Sequence, residues 1–490
     1  AMSLSLAAAG ADLKATTATM QVVMTLSKLL FGAFMLLGGL LGDTYGRRRV
    51  LVFGCAGIVV ASALAGLSTS AGELALARAL DGLANAAVGP LTLALVMGLF
   101  PGDAGSRAVG LFLGLSALGI ALGPLAAGFI IQTFGWRAGF VAPALVGALG
   151  GLGVRLFAPE IRGAERRRMD GIGALGAAAA LVALVFAVIG ASSSGWRDPR
   201  VLQALAVGAG ALVGFVWWER RVKDPIVDLA LFRSRALNAA LLNGTLIALV
   251  MGGALLPLLY FFQNVQGMKP VPALMRIVPM VLAAAAAAPF VGGILGRRGP
   301  RPVILGGLAL VVGGCAILSF LQPATPYGVI LFALVLIGVG NIAVITPVTE
   351  IVLGSVPPER SGSAAALNNA AMQVGGALGA AILTSVFFDA ARADYAARLA
   401  STGLTVDRIR DVTRAWRDAV RTSASTGAKI LPEGMERLFE DSFREAFTVG
   451  VARVFLVGAV VAVACGCLAW RGLRQAGTTA TPDRGASPAS

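Results

Sequence analysis

The feature that most constrains this chain is a succession of long apolar runs, near residues 19–41, 50–68, 73–99, 107–133, 137–158, 171–190, 200–218, 236–263, 271–295, 302–321, 326–353, 361–388 and 448–470. Each is long enough to cross about 30 Å of hydrocarbon as a helix. None alternates polar with apolar residues, so the runs are helices and not strands of a barrel. A chain that is 57% hydrophobic and 13% charged, with a mean hydropathy of +0.82, cannot present a water-soluble surface. The fold class is therefore an all-α polytopic membrane protein. Residues 1–11, AMSLSLAAAGA, are too short to span and lack the basic region of a signal peptide. They read as the outer stub of a truncated first span, which brings the expected total to fourteen.

Orientation follows from residues 39–51, GLLGDTYGRRRVL, a charged turn between two runs. Gly39 and Gly46 suit places where helix ends pack closely, Asp43 is the one acid, and Arg47, Arg48 and Arg49 form a basic triplet. Arginines beside an apolar run are retained in the cytoplasm. Alternate connections then also lie inside, and they hold Arg107, the run from Arg162 to Arg168, Arg220 to Arg235, Arg297 to Arg301, Arg360, Arg471 and Arg474. The opposite short connections carry few cations. The net charge of +15 is thus explained by topology and not by nucleic acid. With no histidine, proton chemistry inside the membrane has to use carboxylates. Cys55, Cys315, Cys465 and Cys467 have neither zinc-ligand nor C-x-x-C spacing, so no metal site is expected.

Two further stretches carry polar or glycine patterns inside runs. Arg78 and Asp81 are three residues apart in ARALDGLANAAVGP and share a helix face. Charges at mid-membrane cost about 2.5–3.5 kcal/mol each on insertion scales, so both should face the bundle interior. In GLFLGLSALGIALGPLAAG, Gly110, Gly114, Gly119, Gly123 and Gly128 recur every four or five residues, with Pro124 beside Gly123. That spacing lets a neighbouring backbone approach closely. Asn243, Tyr260, Gln263, Asn341, Asn368, Asn369 and Gln373 either line a substrate cavity or make interhelical hydrogen bonds. GGLLGDTYGRRR at 38–49 is echoed by GGILGRRGPR at 292–301 with the acid lost, a weak internal repeat of the kind from which transporter halves are built.

Residues 39–51 resemble the loop between the second and third spans of major facilitator superfamily transporters. Gly39, Leu41, Asp43, Gly46, Arg47, Arg48 and Leu51 fall in register, and Thr44 replaces a usual basic residue. Gly119, Gly123, Pro124 and Gly128 resemble the antiporter motif of the drug efflux branch, with Ala127 in place of one glycine. Arg78 and Gly82 match the family's R-x-x-Q-G pattern, and Asp81 departs from it. Over most of its length the chain is similar to fourteen-span drug:proton antiporters. That resemblance implies a major facilitator fold of two six-helix halves plus two extra linker spans. The expected organisation is a stub at 1–11, an N-terminal half at 12–158, linker spans at 171–218, five spans of the C-terminal half at 236–388, an extracellular loop or helical hairpin at 389–447, a last span at 448–470 and a cytoplasmic tail at 471–490.

The resemblance also implies a function: secondary active export of small amphipathic drugs or antibiotics in exchange for protons, by alternating access, from the cytoplasmic membrane of a bacterium. Asp43 would hold a cytoplasmic gate against the start of the thirteenth span at Ser361 and Gly362, where a helix N-terminus favours an anion. Arg78 and Asp81 would couple the proton, with Asp81 either carrying it or neutralising the arginine. Gly119, Gly123 and Pro124 would bend the fifth span and seal it against its neighbour. The expected partners are the substrate, the proton and the lipid bilayer, with no cofactor and a monomeric state. No set of nucleophile, base and metal ligands converges, so an enzyme is not expected. A lipid or lipophilic-metabolite exporter of the same fold, and a non-transporting scaffold or receptor, are the alternatives.

Overall fold

The computed structural model describes residues 9, 12, 13, 15, 17–100, 103–161, 170–194, 197–222, 229–357, 361–400 and 436–473. Every regular element among them is a helix, as expected where no water is available to satisfy an open backbone. The long helices are α1 (Thr17–Tyr45), α2 (Arg47–Leu67), α3 (Ala71–Leu99), α4 (Asp103–Phe134), α5 (Val141–Phe157), α6 (Gly171–Ser194) and α7 (Pro199–Glu219). They continue with α8 (Arg235–Tyr260), α9 (Val278–Arg298), α10 (Pro300–Ser319), α11 (Tyr327–Gly354), α12 (Ser361–Ala400) and α13 (Glu436–Gly472). Each apolar run of the sequence falls on one of them. Among the described residues, eleven helical stretches are long and apolar enough to cross a membrane, and Arg107–Ser116 and Leu175–Leu184 are shorter apolar stretches on α4 and α6.

The helices form two groups. In the first, α1 packs on α3, and α2 on α3 and α5. In the second, α8 packs on α12 and α13, α10 on α11 and α13, and α9 on α11. The groups meet where α4 crosses α9 and α1 crosses α12. The linker helices α6 and α7 pair with each other, and α6 lies against both α1 and α12, over the seam. Small residues set the closest crossing. A Cβ on Gly375 would come within 2.1 Å of the Thr245 carbonyl oxygen and one on Gly379 within 1.9 Å of that of Leu249, so α8 and α12 touch backbone to backbone.

In the segment 389–447, expected as an extracellular loop or helical hairpin, the described residues at both ends continue the flanking helices. With 40 residues, α12 is about 60 Å long, roughly twice the hydrocarbon thickness. It carries the helix to Ala400, and α13 starts at Glu436, so the flanking spans themselves project out of the membrane. Arg398 holds them together by bonding Asp394 on its own helix at 2.5 Å and Glu445 on α13. Phe443 stacks on Phe447 at 4.4 Å, and Phe447 meets Phe387 edge-on at 5.1 Å. Residues 401–435, where periodicity around Ile409 and Trp416 suggests further helix, lie outside the described residues.

Candidate functional site

The charged turn begins where α1 ends. Gly46 takes φ 105°, a value that side-chain-bearing residues avoid, and this reversal starts α2 at Arg47. Arg47 is 1% exposed, the largest fully buried side chain among the described residues. Its charge is met by Asp43, one turn earlier on α1, whose Oδ1 accepts from Nε at 3.1 Å and from a terminal nitrogen at 3.0 Å. The other carboxylate oxygen reaches across the seam, where Oδ2 accepts from the Ser363 backbone N–H at 3.0 Å and from its hydroxyl at 3.2 Å. Ser363 lies in the first turn of α12, whose N–H groups have no partner within the helix. Asp43 thus neutralises a buried cation of one half and caps a helix of the other. Gly39 is buried in α1.

The sequence reading missed Glu160, just beyond α5. Its Oε1 accepts from the Arg48 backbone N–H at 3.2 Å, and its Oε2 lies 3.6 Å from Arg49 Nε. Arg48 donates from its guanidinium to the Arg155 carbonyl at 2.6 Å, and the Arg47 N–H donates to the Ile161 carbonyl at 3.0 Å. A lone Glu after an apolar run carries no local signal, because its partners lie more than a hundred residues away in the chain.

Arg78 and Asp81 form the expected pair on α3, 2.8 Å apart and at 12% and 17% side-chain exposure. Two unexpected donors complete it. Ser27 of α1 donates to Oδ2 at 2.8 Å, and Asn85 donates to Oδ1 at 3.0 Å. Asn85 lies four residues beyond Asp81, so spacing alone could have found it; Ser27 could not be found that way. Both carboxylate oxygens are therefore engaged, and Asp81 ties α3 to the helix that carries Asp43.

The cavity candidates divide. Asn243 is fully buried and donates to the Ala239 carbonyl at 2.7 Å, while Asn368, 2% exposed, donates to Thr349 Oγ1 at 3.3 Å. These two sit inside the second half and not on the wall of a cavity. Asn341 has a buried Oδ1 without a hydrogen-bond partner. Tyr260 lies 6.1 Å from Phe387 in a tilted ring contact, and Gln263 is half-buried in the π-turn Phe261–Val265. On α12, Ala366 packs with Leu36 and Leu40 of α1, and Ala370 with Met35 of α1 and Ala86 of α3. Gln373 lies one turn further along that face and is exposed, with Asn369 half-buried below it.

The glycine stripe on α4 also divides. Cβ atoms on Gly110 and Gly114 would meet Ala288 of α9 at 2.7 and 2.9 Å, so this part of the helix makes the seam. Gly119 and Gly123 have no atom within 4 Å of a Cβ position, contrary to the expectation that they seal α4 against a neighbour. The reason is where the halves meet: the contact uses the first turns of α4, on the side of the charged turn, and leaves the glycines further along uncovered. Pro124 and Gly128 lie on the same helix.

Comparisons with known proteins identify the family. The profile of the Major Facilitator Superfamily matches residues 1–380. The chain belongs to that superfamily. Among its relatives, the puromycin resistance protein pur8 of Streptomyces alboniger is 37% identical over 402 residues, covering 81% of this chain and 80% of that one. The tetracenomycin C resistance and export protein of Streptomyces glaucescens is 30% identical over 461 residues, covering 94% and 85%. Among solved structures, the proton:xylose symporter XylE is similar with a TM-score of 0.56 at 12% identity, covering 96% of this chain and 91% of that one, which speaks for the fold alone. This superfamily member is a multi-pass membrane transporter of bacterial kinship, not an enzyme.

Proposed function

We propose that this superfamily member exports small amphipathic compounds, of the antibiotic kind for which its relatives are named, in exchange for protons by alternating access. The observation that carries the reading is the distribution of contacts between the halves. Asp43 with Ser363, Leu40 with Ala366, Met35 with Ala370 and Gly110 with Ala288 all lie on the side of the charged turn. Gly119, Gly123 and Gln373, further along the same helices, face open space. That distribution supports a transporter closed toward the cytoplasm, with its binding space facing outward.

Coupling follows from α1. Helix α1 carries Asp43 at the closed end and, through Ser27, is bonded to Asp81. A proton on Asp81 would discharge its pair with Arg78 and change what Ser27 is bonded to, so protonation bears on the same helix that latches the halves. Asn369 and Gln373 offer neutral hydrogen-bonding groups at the binding space. Asp43 and Arg47 form the gate.

The test is flux in liposomes under an imposed pH gradient, with a panel of lipophilic dyes and antibiotics. Gradient-driven flux abolished by a protonophore is expected, together with its loss in Asp81→Asn. Flux indifferent to the gradient would remove the exchange, and full gradient dependence in Asp81→Asn would remove Asp81 as the coupling group.

A further inference from the structure

The charged turn occurs twice, and only the first copy carries its own anions. Laying Gly292 on Gly39 and Gly299 on Gly46 without a gap puts Gly296 at the place of Asp43, Pro300 at that of Arg47 and Arg301 at that of Arg48. The geometry is kept: Gly46 and Gly299 have φ 105° and 75°, and each starts the next helix. The charges are not. In the first half, Asp43 and Glu160 answer Arg47 and Arg49. In the second, Arg297, Arg298, Arg301 and Arg471 have no carboxylate within ion-pair distance among the described residues.

Arg301 is the informative member of this group. Its Nε is buried without a hydrogen-bond partner, a state that proteins avoid because the lost hydration is not replaced. Its guanidinium carbon lies 4.1 Å from the centre of the Trp470 ring, so the cation is held over the ring with Nε unpaired. Beside it, between α10 and α13, runs a groove of about 460 Å³ lined by Leu305, Val463, Gly466, Cys467, Trp470 and Arg471. Leu305 is one helical turn beyond Arg301, and Val463 is about two turns before Arg471. The groove therefore has a cationic end with a tryptophan, at the level of the charged turn, and an apolar end inside the membrane.

We propose that this groove binds an anionic glycerophospholipid of the inner leaflet, with its phosphate on Arg301 and Arg471 and one acyl chain along Leu305, Val463 and Gly466. A planar guanidinium suits phosphate oxygens, and basic pockets on the cytoplasmic side collect anionic head groups. The apolar end excludes a free ion as the natural occupant, because phosphate alone would leave it empty. The lipid supplies to the second half the negative charge that Asp43 and Glu160 supply to the first.

The experiment is native mass spectrometry of the full chain from mild detergent, comparing retained phosphatidylglycerol with phosphatidylcholine. Preferential retention of phosphatidylglycerol is expected, falling about fivefold in Arg301→Gln and similarly in Arg471→Gln. Gly466→Leu, where an added Cβ meets nothing within 4 Å, fills the groove without touching either cation and should also release the lipid. Arg200→Gln, at the opposite membrane face, should change nothing. Equal retention of both lipids, or wild-type retention in Arg301→Gln and Gly466→Leu, overturns the proposal. So does displacement of the lipid by inorganic phosphate, or retention that appears only after residues 474–490 are deleted.

Discussion

The two charged turns share a backbone and differ in electrostatics. Each ends a helix at a glycine of positive φ, yet the first buries an arginine against an aspartate and the second has proline and glycine at those places. The glycine is retained because the reversal is a steric requirement of any such turn. The ion pair is present only where it does a second job. Asp43 can hold Arg47 and the start of α12 together, and Gly296 has no side chain with which to do either.

The largest difference between the two turns should come from Asp43→Asn. It removes the Asp43 charge from the buried Arg47 guanidinium, and losing one member of a buried pair costs about 3–5 kcal/mol. A thermal unfolding measurement should show that loss together with failed transport, whereas Gly296→Asn should leave stability almost unchanged. Equal effects at the two places would mean that the turns are equivalent after all.

A smaller difference separates the glycines. Gly46→Ala and Gly299→Ala both force a side chain into a backbone region that costs about 1–3 kcal/mol. At Gly46 the new Cβ would also lie 2.4 Å from Glu160 Oε1, while at Gly299 it meets nothing within 4 Å. Gly46→Ala should therefore be the more destabilising, and adding Glu160→Ala should narrow the gap. Glu160→Gln alone keeps an acceptor for the Arg48 N–H and loses only a partner for the mostly exposed Arg49, so a change below about 1 kcal/mol is expected in the same melt.

The smallest effect belongs to a pair at the opposite end of the first half. Asp12 accepts from Arg137 at 2.5 Å and from Trp136 Nε1 at 3.1 Å, and the Arg137 hydrogen bond, followed by that of Trp136, holds its carboxyl below the usual value of 3.8. A lowered carboxyl stabilises the fold above its unfolded value and loses that contribution as the pH falls through the folded one. Stability of the wild type relative to Asp12→Asn should be constant near neutrality and converge only below pH 3.8. Convergence at higher pH would show that the pair is not formed.

Several parts of the site were legible because their signals are local. Asp43 with Arg47 is an i, i+4 pair, Arg78 with Asp81 an i, i+3 pair, and Gly110 with Gly114 a small-residue spacing. Helical spacing misleads where it runs past the contact that gives it meaning. Gly119 and Gly123 continue the stripe of Gly110, but α9 covers only the earlier turns. Asn243 and Asn368 look like cavity polar groups, yet their burial is decided by three helices converging in the second half.

That the chain is a stack of membrane-crossing helices, and roughly where the apolar middle of each lies, is legible in the amino-acid sequence alone. Those properties follow from the cost of burying charge and bare backbone in hydrocarbon, and each is settled within a few dozen residues. Helix packing sets that Asp43 reaches Ser363, that Ser27 joins Asp81 to α1, that Glu160 closes the first turn and that Arg301 Nε is left unsatisfied in the second. Those facts join residues distant in the chain, and helices of nearly uniform hydrophobicity do not encode which face meets which; small residues and the few buried charges decide it once the helices pack.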